Sequence, residues 1–288
     1  MGSSKLDTLR NWLRTHEKIL VVAVVAWAGF FLRSWEGDLH GDPVRYAAVS
    51  KTVLTTGDWI TMHDAPGVVY PNKPPLMFWL TAAAFRVFGF STWSAKLWSC
   101  LFAFGGCLLT FLIGRRLFGE TVGMLAGVML ATMSGVVINA IDCRLDSAVT
   151  FYTLLAVYGA LRAATDARPV WLLLPGLAAG LGAMTKASTL VHVPVLVAIV
   201  LVAWRPWYLI HPWLLASVAL AAAIAAPWHI AMVARLGAAY TEAYVGEQIG
   251  SRIALGSHVI ENVGRNAVSV SVRGLPWWPL GAWALVRW

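Results

Sequence analysis

The sequence predicts an all-α polytopic membrane protein folded as one membrane domain, residues 1–288. Three observations carry that reading. The chain is 59% hydrophobic and only 12% charged, against roughly 45–50% and about 25% in soluble domains. Its mean hydropathy is +0.68. Apolar runs of about 20 residues, the length that crosses a bilayer, recur along the chain, with basic residues gathered in alternate short connections.

The elements follow in order. Lys5, Arg10, Arg14 and Lys18 precede an apolar run from Ile19 to Leu32. No small-residue cleavage signal comes after it, so it reads as an uncleaved span with a cytoplasmic N-terminus. Candidate spans cover 18–34, 95–114, 120–140, 147–164, 170–185, 188–204 and 213–233, with a further one at 275–288. The stretch 75–91 is short, opens on two prolines and carries Arg86. It reads as a helix lying along the interface. With 75–91 not crossing, Arg115, Arg116, Arg162, Arg168 and Arg205 all fall on the cytoplasmic side, as the positive-inside rule requires. The segments 35–94 and 234–274 then form a first and a late outer loop, sharing their face with 140–146 and 186–187. No internal repeat or low-complexity segment interrupts the chain.

The formal net charge of +8 would suit a nucleic acid in a soluble protein. Here it belongs largely to the cytoplasmic ends of spans, and membrane lipids replace nucleic acid as the expected surroundings. Cys100, Cys107 and Cys143 form no disulfide framework or zinc spacing and read as small apolar fillers. His40, His63, His192, His229 and His258 show no ligand spacing. No metal ligand is assigned, no cofactor is required by the residues, and a role for a divalent cation stays open.

The charges that remain are concentrated. Between Gly41 and Leu80 stand Asp42, Arg45, Lys51, Asp58, Asp64 and Lys73. A polar loop of this length beside a membrane more often holds a site than merely connects helices. The ordered set Asp42-Pro43-Val44-Arg45-Tyr46-Ala47, Gly57-Asp58-Trp59 and Tyr70-Pro71-Asn72-Lys73-Pro74-Pro75 resembles the first outer loop of GT-C glycosyltransferases of the protein O-mannosyltransferase and lipid A aminoarabinose transferase group. Further elements follow in matching order: Arg144-Leu145-Asp146, Thr185-Lys186, Pro227-Trp228, then Glu247 and Arg252. Two positions depart from the pattern. Pro43 stands where relatives carry a second carboxylate, and Gln248 follows Glu247 where relatives often have His. Relatives are also longer, so the chain is read as a candidate N-terminal part.

The resemblance implies a GT-C-like transmembrane helix bundle with outer-face juxtamembrane helices in a bacterial inner membrane. It implies sugar transfer from a polyprenyl-phosphate donor to a lipid, glycan or protein acceptor. That chemistry needs a carboxylate to deprotonate or orient the nucleophile and positive charge on the departing phosphate. Asp42 and Asp146 are the candidate catalytic carboxylates, although each could instead cap a helix N-terminus. Asp142 could substitute for Asp146. Lys73, Arg45, Lys186 and Arg252 are the candidate donor-phosphate ligands. For Arg45 the alternative is a local ion pair with Asp42, and for Lys73 a snorkelling role. Tyr46, Tyr70 and Glu247 are candidate substrate-binding residues. A transporter or lipid-carrier flippase is the rival class, but such proteins hold ionisable groups within their spans, whereas here the charges collect in loops. A noncatalytic subunit or fragment is a third reading.

Overall fold

A computed structural model describes residues 2–250, 269 and 271–287. The described residues form a bundle of helices with one small hairpin. Helix α1 (Gly2–Ser34) leads into the first polar segment. That segment holds α2 (Asp42–Thr56), a hairpin of β1 (His63–Ala65) and β2 (Val68–Val69), and α3 (Leu76–Phe88). Next come α4 (Thr92–Phe118), α5 (Glu120–Thr132), α6 (Ser134–Ala140) and α7 (Asp146–Thr165). Helices α8 (Leu173–Ala183), α9 (Thr189–Trp204) and α10 (Pro212–Leu236) complete the bundle. A short turn α11 (Ala238–Tyr240), a π-helical stretch Thr241–Gly250 and α12 (Trp278–Arg287) follow.

Among the described residues, α4, α7 and α10 are long and apolar enough to cross a membrane, and α5 with α6 makes a fourth if counted together. The expected single span at 120–140 is instead broken at Met133, where the axis turns by 62°. Residues from the far end of the chain satisfy the break. Ser134 N donates to the Leu275 carbonyl at 2.9 Å, and Trp277 Nε1 donates to Thr132 Oγ1 at 2.8 Å. The expected spans at 170–185, 188–204 and 275–288 are shorter helices of 11, 16 and 10 residues, the first preceded by a 3₁₀ turn at Pro169–Leu172. The late segment 234–274 begins as helix, not as open loop, through Gly250.

Close helix contacts explain several glycines. A Cβ on Gly123 would lie 2.6 Å from the Phe111 carbonyl, so α4 and α5 approach backbone to backbone. Gly176 sits directly against the Ser217 carbonyl and does the same for α8 and α10. The main core joins Val49, Val53, Met62, Met77 and Phe78 of the polar segment to Ala148, Tyr152 and Ala156 of α7. Burial of these apolar groups holds the polar segment on the bundle.

Helix α7 separates two charged ends. At its C-terminus Arg162 and Arg116 both pair with Asp166, and Arg205 Nε donates to the Ala164 carbonyl at 3.1 Å. At its N-terminus stands Asp146. Twenty helical residues rise about 30 Å, so the basic end and the Asp146 end lie roughly a hydrocarbon thickness apart.

Candidate functional site

Four segments meet at the Asp146 end. Helix α2 begins at Asp42 because Pro43 suits the first helical turn, and its cap is the backbone of Gly41, with no side-chain capping bond. The Asp42 carboxylate is therefore not spent on the helix end. Helix α7 likewise starts at Asp146 with no side-chain cap at Leu145. Both carboxylates sit in a first turn, the favourable end of a helix dipole.

The hairpin brings the second set. Gly67 takes φ +80° in its turn, a conformation costly for a residue with a Cβ. Tyr70 N donates to the Met62 carbonyl at 2.8 Å, and Thr52 Oγ1 donates to the His63 carbonyl at 2.5 Å. These bonds fix the hairpin against α2. Asp64 on β1 reaches Arg45 Nε at 3.2 Å, and the Arg45 guanidinium lies 5.9 Å from the Tyr70 ring centre. Arg45 thus pairs with Asp64 and not with Asp42 one turn away.

Prolines 74 and 75 follow a turn at residues 71–72, and Leu76 N donates to the Met184 carbonyl at 3.0 Å. That bond joins the start of α3 to the end of α8 and so brings Lys73 near Lys186. Lys186 Nζ lies 2.7 Å from Asp146 Oδ1. The loop before α7 is bolted to α4. Ser99 Oγ accepts from Arg144 N at 3.1 Å and donates to the Arg144 carbonyl at 2.9 Å. Arg144 Nε meets Asp142 Oδ2 at 3.1 Å.

The result is a cavity of about 270 Å³ lined by Asp42, Arg45, Tyr46, Tyr70, Asn72, Lys73, Arg144, Leu145, Asp146 and Lys186. Seven of the nine residues singled out in the sequence share this wall. Glu247 falls in the π-helical stretch and its side chain is outside what the structure describes; Arg252 lies outside the described residues. Arg144 and Asn72 also line the cavity although the sequence did not single them out; each sits inside a short motif that could have flagged it. Asp142, the alternative to Asp146, faces Arg144 and is not on the wall.

Two tyrosines of the lining, Tyr46 and Tyr70, are each only 9% exposed. Burial pushes the Tyr70 phenol up to about 12, with Asp42 and Asp64 adding to the rise and Arg45 opposing it. Burial raises Tyr46 further, helped by Tyr70, Asp42 and Asp146 and opposed by Arg144. Both remain neutral hydrogen-bond donors at ordinary pH. Among the described residues, no group of three His, Cys, Asp or Glu side chains is placed to hold a metal ion.

A second cluster ties α10 to the first polar segment. Asp58 Oδ1 accepts from Ile60 N and Thr61 N at 3.0 Å and from Arg235 Nη1 at 3.1 Å. Trp228 Nε1 donates to the Ile60 carbonyl at 2.9 Å. Tyr240 and Tyr244 stack 5.4 Å apart, and the Tyr240 hydroxyl lies 2.5 Å from His229 Nδ1. The cluster anchors the start of the segment that carries Glu247.

Residues 72–231, more than half of the chain, match the family described as dolichyl-phosphate-mannose-protein mannosyltransferase. The chain belongs to this family. The matched stretch carries Lys73, Arg144, Asp146 and Lys186, while Asp42, Arg45, Tyr46 and Tyr70 lie ahead of it. Among named relatives, the undecaprenyl phosphate-alpha-4-amino-4-deoxy-L-arabinose arabinosyl transferase of Pseudomonas aeruginosa is 32% identical over 200 residues, covering 67% of this chain and 36% of that one. A second such transferase, from Pseudomonas fluorescens, is 30% identical over 215 residues, covering 71% of this chain and 35% of its own. The chain thus spans about a third of the length of these relatives. The crystal structure of ArnT from Cupriavidus metallidurans bound to undecaprenyl phosphate superposes with a TM-score of 0.74 at 22% identity, over 93% of this chain and 49% of that one. The fold of this mannosyltransferase-family member is therefore that of a polytopic, helical membrane protein.

Proposed function

We propose that the chain carries the donor site of an integral-membrane glycosyltransferase, and that it moves a sugar from a polyprenyl-phosphate donor to an acceptor hydroxyl or amine at the cavity. The observation that carries this reading is the meeting of two carboxylates and four cationic side chains, drawn from four separate segments, in one cavity of about 270 Å³. Kinship supports it: the named relatives are arabinosyl transferases that use undecaprenyl phosphate-linked sugar, and the solved ArnT binds undecaprenyl phosphate.

The step balances as follows. The acceptor oxygen or nitrogen bonds to the anomeric carbon while the bond from that carbon to the phosphate oxygen breaks. The bonding pair leaves with the lipid phosphate, and the acceptor's proton passes to Asp42. Asp146 holds Lys186 in place and shares the wall with it. Arg45 and Lys73, with Lys186, carry the charge that develops on the leaving phosphate. Tyr46 and Tyr70, held neutral, donate to sugar or phosphate oxygens. The resemblance further implies substrate binding for Glu247 and phosphate binding for Arg252. We place the chain in a bacterial inner membrane with a cytoplasmic N-terminus and the cavity on the outer face, consistent with the basic residues at the far end of α7.

Transfer of label from a radiolabelled polyprenyl-phosphate sugar tests the reading. In membranes holding this chain or a longer native form, label should reach an acceptor. Asp42→Asn and Lys73→Ala should abolish transfer at unchanged expression. Lipid translocation without transfer would instead establish a flippase.

A further inference from the structure

The cations of the cavity differ in how their charge is balanced. Lys186 is neutralised from inside, because its partner Asp146 shares the wall. Arg45 and Arg144 are balanced from behind. Each gives its Nε to a carboxylate, Asp64 at 3.2 Å and Asp142 at 3.1 Å, and neither acid lines the cavity. A guanidinium has five N–H donors in a planar fork. With Nε engaged at the rear, the two terminal amino groups remain to bind a second oxyanion, the bidentate geometry that favours arginine over lysine for phosphate. The same arrangement occurs twice, once on α2 and once before α7.

Arg144 is also the more firmly held of the pair. Its backbone N–H and carbonyl both bond the hydroxyl of Ser99, which is fully buried, and its neighbours Cys143 and Leu145 are each 3% exposed. A surface arginine paired with an acid two residues away needs no such anchoring. An arginine that must meet a ligand at a fixed position does, since preorganised donors lose less on binding.

We infer that Arg144 is an oxyanion ligand of the cavity, forming with Arg45 a two-armed guanidinium clamp for a phosphate group. The inference rests on the reading of the cavity as a donor site, and it adds a residue that the sequence motifs left without a role. The shared chemistry is a phosphate oxyanion, whether the headgroup of a polyprenyl phosphate or free inorganic phosphate.

The test is a set of titrations of the purified full chain in nanodiscs, followed by isothermal titration calorimetry. The probes are undecaprenyl phosphate, undecaprenol and inorganic phosphate. The variants are Arg144→Ala, Arg144→Lys and Lys73→Ala. Wild type should bind undecaprenyl phosphate well above undecaprenol. Arg144→Ala should weaken it by about 10- to 100-fold, the range for a hydrogen bond to a charged group. Arg144→Lys should lose roughly 3- to 10-fold, because the charge stays and the fork goes. Millimolar guanidinium should restore part of the binding to Arg144→Ala, which a purely structural role would not allow. If Arg144→Ala fails to fold, Arg144→Lys decides. Wild-type affinity in the folded Arg144 variants, with loss in Lys73→Ala, overturns the inference and leaves the donor reading intact. Equal loss of undecaprenol binding also overturns it. Preference of wild type for inorganic phosphate, with the same dependence on Arg144, supports the clamp and defeats the donor reading. Binding of neither phosphate probe by wild type defeats both.

Discussion

Removing Asp146 should tighten, not weaken, the hold on a lipid phosphate. The wall carries Arg45, Lys73, Arg144 and Lys186 against Asp42 and Asp146, a net charge of 4 − 2 = +2. Asp146→Asn raises it by one and releases Lys186 from its 2.7 Å partner; Lys186→Met lowers it by one. A sphere of 270 Å³ has a radius of about 4 Å, so a central phosphate lies roughly 6 Å from a wall charge. One unit charge at that distance is worth about 0.7 kcal/mol at the dielectric constant of water and about 2.8 kcal/mol at an effective value near 20. The side chains of the pair are 25% and 43% exposed, which places the effect toward the low end, near ~1 kcal/mol, or about fivefold in affinity. Calorimetric titration of undecaprenyl phosphate should therefore show about fivefold tighter binding for Asp146→Asn and about fivefold weaker binding for Lys186→Met. The double variant should return to the wild-type value, since one charge of each sign is gone. All differences should shrink between about 0.05 and 0.3 M salt. Transfer should still fall in Asp146→Asn, because Lys186 loses its holder. Weakening by Asp146→Asn as large as that by Lys186→Met would refute the reasoning: geometry, not net charge, would then govern the site.

Three further outcomes follow from the packing. Asp58 is held below its ordinary value of 3.8: burial works against this, but the Thr61 and Ile60 N–H groups and Arg235 outweigh it. A depressed carboxylate contributes stability above its unfolded value and loses it as pH falls through the folded one. Asp58→Asn should thus cost about 1 kcal/mol in detergent unfolding at neutral pH, with the gap to wild type closing below pH 3.8; a pH-independent gap would contradict this. Lys96, 2% exposed, donates to the Glu36 and Gly37 carbonyls at 2.8 Å each. Lys96→Met strands both and should destabilise by ~3 kcal/mol, measured as a lowered unfolding midpoint. Gly176→Ala would set a methyl on the Ser217 carbonyl and should destabilise by roughly 1–3 kcal/mol, where a Gly106→Ala control meets only Leu154 Cδ1 at an ordinary 3.6 Å.

Much of the cavity was legible because charge is scarce in this chain. Asp42, Arg45 and Lys73 stood out in a polar segment of an apolar sequence, and Lys186 stood out at a span end. Their roles were less legible than their positions. Capping and functional readings of Asp42 and Asp146 look alike in sequence, and only the placement of the side chains separates them. The partner of Arg45 is Asp64 and not Asp42, because the hairpin folds back over α2. The break at Met133 leaves no mark in hydropathy, since both halves are apolar; it depends on bonds from Ser134 and Thr132 to residues near the far end of the chain. Lys96 was not singled out in the sequence, because its burial depends on the turn after α1, whose Glu36 and Gly37 carbonyls it bonds.

What the sequence by itself determined was the solvent. Composition and hydropathy demand a membrane, where a backbone is satisfied only in helices or a closed barrel, and apolar runs of about 20 residues select helices. The order of the short motifs determined the family. Convergence belongs to the tertiary structure alone. Residues 42, 73, 144 and 186 become neighbours only because Leu76 N meets the Met184 carbonyl, Ser99 grips Arg144, and Lys186 closes on Asp146. Those contacts join residues far apart in the chain, and local sequence carries no record of them.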